Sequence, residues 1–256
     1  LKAQPQVAAE TLRSVLAVRD PNPALTDVQL KLLDFTAGYY LQSPAVVAQA
    51  MLPSLRYLPP QSLSPLPSPQ PAPGRLLVGP YPPQAWLPMI RATLASGRQA
   101  LVLCPSVSYA QAARSALSSA LGSTVALLHG RLTARQQSSI WSAARTGLAS
   151  VVVGTRSAVF CPLPRLGHIL VTHEHHGGHK QWDRNPRYHA LTVARHLAWV
   201  SSAELTVSSV APSVATVGLA LRLGWSVKTT GSPPVSQTVV NLADERRGGN
   251  RTPVSS

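Results

Sequence analysis

The run Thr172-His173-Glu174-His175-His176-Gly177-Gly178-His179 holds four of the eight histidines in this 256-residue sequence. The imidazoles at 173, 175 and 179 are neutral nitrogen donors of the kind that bind zinc, and Glu174 is the one acid among them. A second pattern is Gly154-Thr155-Arg156-Ser157-Ala158. A Gly-Thr turn leaving a strand presents N–H groups and a hydroxyl to a phosphate, with the Arg156 guanidinium as counter-charge. The alternative is that Arg156 pairs with a backbone carbonyl inside the fold. Lys180, Gln181, Arg184 and Arg187 form a basic cluster after the histidines, readable as phosphate contacts or as a solvated face. Of Trp86, Trp141, Trp182, Trp199 and Trp225, most are expected in the core. Trp182, with polar neighbours, is the one best placed to stack on an unpaired base.

Bulk charge points the same way. A formal charge of +14 and a pI near 11.0 favour a polyanionic partner. Between Asp34 and Glu174 there is no Asp or Glu, while ten arginines fall there. A GC-rich genome, which inflates Arg, Ala and Pro, is the competing account. Cys104 and Cys161 lack any CxxC partner, so neither a disulfide framework nor a zinc knuckle is expected. A reduced, cytoplasmic setting is the simplest expectation. No run approaches 18 consecutive apolar residues, so no membrane span is expected. The start at Leu1, with no secretory signal, reads as a fragment of something longer.

These residues need a scaffold. Thr26-Asp27 caps a helix through Val28, Leu30, Leu32, Leu33, Phe35 and Tyr39, and Ser43-Pro44 opens a short helix ending near Met51. Residues 57–74 carry seven prolines and no charge, the composition of an extended linker. Beyond it, apolar strands at 75–79, 99–104, 124–128, 150–154, 168–172 and 205–210 alternate with helical segments at 84–96, 106–121, 133–146, 187–199 and 212–222. That rhythm predicts an α/β fold with a parallel, doubly wound sheet, whose chemistry gathers at the carboxyl ends of the strands. Residues 231–256 are polar and rich in Gly and Pro, apart from a short strand at Thr238–Leu242.

The segments LLVG (76–79), SGRQALVLCP (96–105), VALLHGRLTARQQSSIWSAARTG (125–147), VVVGTRSAVFCPLPRLGHILV (151–171), EHHGGHKQ (174–181) and PRYHA (186–190) resemble the first helicase lobe of the bacterial replication-restart family PriA, a superfamily 2 DNA translocase. Residues 14–53 are similar to the end of that family's domain for the 3′ end of a leading strand. The tail at 233–251 is similar to its connector towards a second lobe. The resemblance implies four parts. Residues 1–56 are the remainder of the 3′-end-binding domain and 57–74 a Pro-rich linker standing in for a winged-helix domain. Residues 75–230 are a RecA-like lobe, and 231–256 lead towards a second one. It also implies DNA contact by Gly154, Thr155, Arg156 and Ser157, and by Lys180, Gln181, Arg184 and Arg187.

Three departures from the family matter. A phosphate-binding loop needs glycines, a Lys and a Ser/Thr hydroxyl for Mg²⁺, whereas the turn at Gly79 and Pro80 continues with Pro82 and Pro83, and proline has no N–H. No Lys lies between Lys31 and Lys180. Thr172 and His173 stand where the family has the Asp and Glu that hold Mg²⁺ and water. Ser208-Ser209-Val210-Ala211-Pro212-Ser213 replaces its coupling stretch GSATPS.

The expectation is therefore a non-enzymatic protein that binds forked DNA with a 3′ end. It would work with primosome proteins, the replicative helicase or its loader, and single-stranded DNA-binding protein, in the nucleoid. ATP is not expected to bind, and the zinc implied for the family belongs to a region beyond this sequence. The alternatives are a surviving ATP-dependent 3′–5′ helicase and a truncated product without a role. A metal-dependent hydrolase is a further one, since the histidine run superficially resembles that of metallo-β-lactamase-fold enzymes. Those place an Asp at the position of His176 and need a bridging carboxylate.

Overall fold

The computed structural model describes residues 25–52 and 74–230. Helix α1 (Asp27–Tyr39) opens with a reciprocal cap, in which the Thr26 hydroxyl accepts from the Gln29 N–H and the Gln29 side chain accepts from the Thr26 N–H. Helix α2 (Pro44–Met51) opens with Ser43 as cap and Pro44 in its first turn, where a missing N–H costs no hydrogen bond.

Seven strands follow among the described residues: β1 (Gly74–Val78), β2 (Gln99–Leu103), β3 (Val125–Leu128), β4 (Val151–Gly154), β5 (Leu166–Thr172), β6 (Glu204–Ser209) and β7 (Ser226–Thr229). They form one sheet in the order β3-β4-β2-β5-β6-β1-β7, and every pairing is parallel. Helices α3 (Leu87–Ala95), α4 (Val107–Leu121), α5 (Ala134–Thr146), α6 (Ala190–Ser201) and α7 (Val214–Arg222) connect them. Strands β2, β4 and β5 are buried along their whole length, because helices cover both faces of a parallel sheet. Alternation then sorts their side chains. Ala100, Val102, Val151, Val153 and Leu170 meet Ile90 and Leu117 on one face, while Leu101, Leu103, Val152, Ile169 and Val171 enter the core on the other. The fold is the RecA-like parallel lobe expected from the sequence, with β6 inserted between β1 and β5.

Three findings refine the reading. Helix α6 starts at Ala190 rather than 187, because Lys180 pairs with His189 across an isolated antiparallel bridge. Strand β7 was unforeseen, since its four residues are all exposed and show no apolar pattern. Helices α1 and α2 do not form a separate core: Leu32, Leu33, Val47 and Met51 join the cluster containing Phe160, Leu191 and Val207. The Gln29 side-chain amide donates to the Phe160 carbonyl at 2.8 Å. Residues 1–24, residues 53–73 with most of the expected linker, and residues 231–256 with the strand expected at 238–242 lie outside the described residues.

Candidate nucleic-acid interface

Because all seven strands run in one direction, Gly79, Cys104, His129, Gly154, Thr172 and Ser209 lie at one edge of the sheet, at or just past the strands' carboxyl ends. The chain leaves β1 through Gly79, whose φ of +121° suits glycine. A Cβ here would sit 2.2 Å from the Thr230 carbonyl. Pro80, Pro82 and Pro83 then lead through a 3-10 turn into α3. A cleft of about 430 Å³ opens beside them, lined by Gly79, Pro80, Tyr81, Pro82, His173, Ser208, Ser209 and Val210.

These residues do not fit a triphosphate with Mg²⁺. Among the described residues no Lys, Arg, Asp or Glu lines the cleft, and three of the eight residues after β1 lack an N–H. Thr172 is 1% exposed, and its hydroxyl donates to the Leu103 carbonyl at 3.2 Å instead of facing the cleft. His173 adopts φ +50° with its ring 4.4 Å from that of Tyr109. Burial, with His175 and His176 nearby, holds it below the ordinary histidine value.

The other histidines are spent individually. His175 Nδ1 meets the Ser209 hydroxyl at 2.6 Å, and His176 Nδ1 accepts from the Gly178 N–H at 2.9 Å. His179 Nε2 lies 2.7 Å from the Thr172 carbonyl, and since a carbonyl only accepts, Nε2 carries the proton. Among the described residues no group of three or more His, Cys, Asp or Glu is placed to hold a metal ion. Glu174 serves structure instead: it accepts from the Ser213 N–H at 3.0 Å, the Ser213 hydroxyl at 2.6 Å and the Thr216 hydroxyl at 2.7 Å. Burial alone would raise this carboxyl, but those hydrogen bonds hold it below its ordinary value.

The Gly154–Ala158 turn and the basic cluster come together. Gly154 admits no side chain, since a Cβ would lie 2.3 Å from the Leu128 carbonyl. The Thr155 N–H also donates to that carbonyl, so this one is not offered to a phosphate as anticipated. Arg156 has side-chain partners rather than the backbone carbonyl of the alternative reading: Nε donates to Gln181 Oε1 at 2.5 Å, and Nη2 stands 3.5 Å from Asp183. Asp183, from beyond the acid-free stretch, thus pairs with one of its ten arginines and also lies 3.7 Å from Arg184.

Residues 180–189 form a short finger. It closes through the Lys180–His189 bridge and the Gln181 N–H to Tyr188 carbonyl bond. Beneath it, Tyr188 packs edge-on against Phe160 at 5.1 Å. The Lys180 ammonium donates to the Arg187 carbonyl and lies 5.5 Å from the Tyr40 ring and 5.9 Å from the Trp182 ring. Trp182 is 67% exposed, as expected, and Trp86 and Trp141 are buried, but Trp182 is not the sole exception, since Trp199 is exposed as well. Arg184 and Arg187 are exposed on the finger. Sequence reasoning missed Tyr40, whose pairing with the finger spans 149 positions, and Asp183, which spacing alone counted only as an acid.

Residues 1–53 match the family model described as the PriA 3′ DNA-binding domain. The replication restart protein PriA of Chlamydia muridarum is 31% identical over 171 residues, covering 66% of this chain and 23% of that protein. Its counterpart in Bacillus subtilis is 32% identical over 176 residues, covering 66% and 22%. The chain belongs to the PriA family. It spans about a fifth to a quarter of the length of the PriA relatives it matches. Among solved structures, the Pyrococcus furiosus Hef helicase domain is similar with a TM-score of 0.45 and 15% identity, over 63% of this chain and 36% of that one. The DEAD-box helicase Mss116 gives 0.43 and 9%, over 64% and 33%.

Proposed function

We propose that this chain acts in replication restart by binding forked DNA with a 3′ end, through phosphate contacts and without hydrolysing ATP. The observation that carries the reading is the Arg156–Gln181 bond, which joins the Gly154–Ala158 turn to the basic finger beside helices whose segment matches a 3′ DNA-binding domain. Arg156, Arg184 and Arg187, with the exposed Trp182, supply guanidinium groups for phosphates and a ring for a base. Thr155, Ser157 and Lys180 complete the surface. The loss of hydrolysis is supported by the prolines after Gly79 and by Thr172 and His173 at the end of β5. Losing either charge stabilisation or nucleophile positioning costs about 10²–10³ in rate or more. Primosome proteins, the replicative helicase or its loader, and single-stranded DNA-binding protein are the proposed partners, in the cytoplasm at the nucleoid. No described helix is long and apolar enough to cross a membrane.

The test uses the full 256-residue chain with labelled forked and duplex oligonucleotides across a salt series. The logarithm of affinity is expected to fall by roughly 0.7–0.9 per tenfold salt for each phosphate neutralised. The fork should bind at least as well as duplex of equal length. Affinity indifferent to salt would refute the phosphate reading. Labelled ATP with Mg²⁺ should show no micromolar binding, and DNA-stimulated phosphate release that survives repurification would refute the non-catalytic half.

A further inference from the structure

The 180–189 finger is closed by very little of its own backbone, namely the Lys180–His189 bridge and the Gln181–Tyr188 hydrogen bond. So short a ladder cannot fix its own orientation. Side chains from elsewhere do so. Arg156 holds Gln181 on one flank, and Phe160 supports Tyr188 from below. Tyr40, just past the end of α1, holds the remaining flank. Its hydroxyl accepts the His189 N–H at 2.9 Å, and its ring lies under the Lys180 ammonium, which in turn faces exposed Trp182. Helix α1 also reaches the buried end of the 3-10 turn that begins at Arg156 (Arg156–Phe160), through the Gln29 amide on the Phe160 carbonyl. Both DNA-facing parts are thus tied to the segment that matches a 3′ DNA-binding domain.

We infer that Tyr40 is a positioning residue that couples the 3′-end-binding segment to the basic finger, so that a strand end and the adjoining phosphates are bound as one rigid unit. The inference rests on the DNA-binding reading above and adds to it the source of fork selectivity. A finger released from Tyr40 keeps Arg184 and Arg187 and still meets phosphate. What it loses is a fixed distance to the strand end. Selectivity, not charge, is therefore what the hydroxyl controls.

The experiment compares the full chain with Tyr40→Phe, which removes only the hydroxyl and with it the contacts to His189 and Thr192, and with Tyr39→Phe, whose exposed ring contacts Phe35 and Tyr40 and which makes no hydrogen bond among the described residues. Each binds a fork with a 3′ end and a duplex of equal length, and hydrogen exchange is followed at Gln181–His189. Tyr40→Phe should weaken fork binding about three- to tenfold, the size of one hydrogen bond, with duplex affinity and salt slope unchanged. Exchange at the His189 amide should accelerate while α6 stays protected, which a general loss of stability would not produce. Tyr39→Phe should match wild type. If wild type prefers the fork and Tyr40→Phe keeps that preference and the slow exchange, the coupling is overturned and the DNA reading stands. If wild type binds neither DNA in a salt-dependent way, the DNA reading falls, and the coupling with it.

Discussion

Arg156 sits where charge and geometry compete. Its guanidinium is about one-third exposed and shared between the Gln181 amide and the Asp183 carboxylate, itself 62% exposed. A phosphate arriving here must displace or outbid an acid already in place, and at a site this open the existing pair contributes at most about 1 kcal/mol. Two substitutions separate the roles. Arg156→Ala should weaken DNA binding evenly across sequences and reduce the salt slope by about one contact. Asp183→Asn, which keeps the shape and removes the competing charge, should strengthen binding several-fold at low salt and lose that advantage as salt screens it. Anisotropy titrations at several salt concentrations check both, and an Asp183→Asn chain that binds no better at low salt would show that Arg156 does not face phosphate. The sequence made Arg156 a candidate through its Gly-Thr turn. It did not disclose Asp183 as its partner, because that pairing depends on how the finger folds back over 27 positions of chain.

The elements show which parts of the sequence speak locally. Thr26, Ser43, Thr133 and Ser213 each cap the helix that follows, and a cap is a property of a few neighbouring residues, so these starts were legible. Strand β7 was not, because an edge strand with four exposed residues carries no apolar signature. Neither was the fate of Glu174, which the sequence showed only as the one acid among the histidines. It joins the end of β5 to the N-terminus of α7, where three donors from Ser213 and Thr216 converge on it and the helix dipole favours its negative charge. Glu174→Gln should therefore destabilise the fold by about 1–3 kcal/mol, since an uncharged amide satisfies those donors poorly. Urea unfolding at pH 7 reads the loss directly. DNA affinity of the folded variant should stay within twofold of wild type, whereas a large loss of DNA binding without loss of stability would give Glu174 a functional role in place of a structural one.

At the scale of the whole molecule, burial of imidazoles sets how stability answers to acid. His168 stands on β5 with Nε2 2.9 Å from the hydroxyl of Thr206 on β6, and burial pulls its pKa down to about 4. Burial likewise pulls fully enclosed His179 down to about 4. Both are ordinary histidines of about 6.5 once unfolded. Between those values the unfolded chain binds two protons that the folded chain refuses, so stability is complete above about pH 6.5 and drains as pH falls towards 4. Each histidine costs about 1.4 kcal/mol per pH unit across that window, hence roughly 3 kcal/mol per unit together. His129, His173, His189 and His196 are lowered too and add in the same direction. Glu174, held below its ordinary value, contributes stability above the carboxylate range and extends the loss at the acid end. On the alkaline side, burial raises Cys104 to about 11, so its protonated form is kept by the fold and stability declines again once unfolded thiols ionise above about pH 8.5. The urea midpoint should accordingly stay level from about pH 7 to 8.5, fall by pH 5.5 and fall further by pH 5. His168→Gln and His179→Gln should each flatten that acid limb even if they lower stability at pH 7. A midpoint unchanged between pH 7 and 5 would mean that His168 and His179 are not enclosed as described.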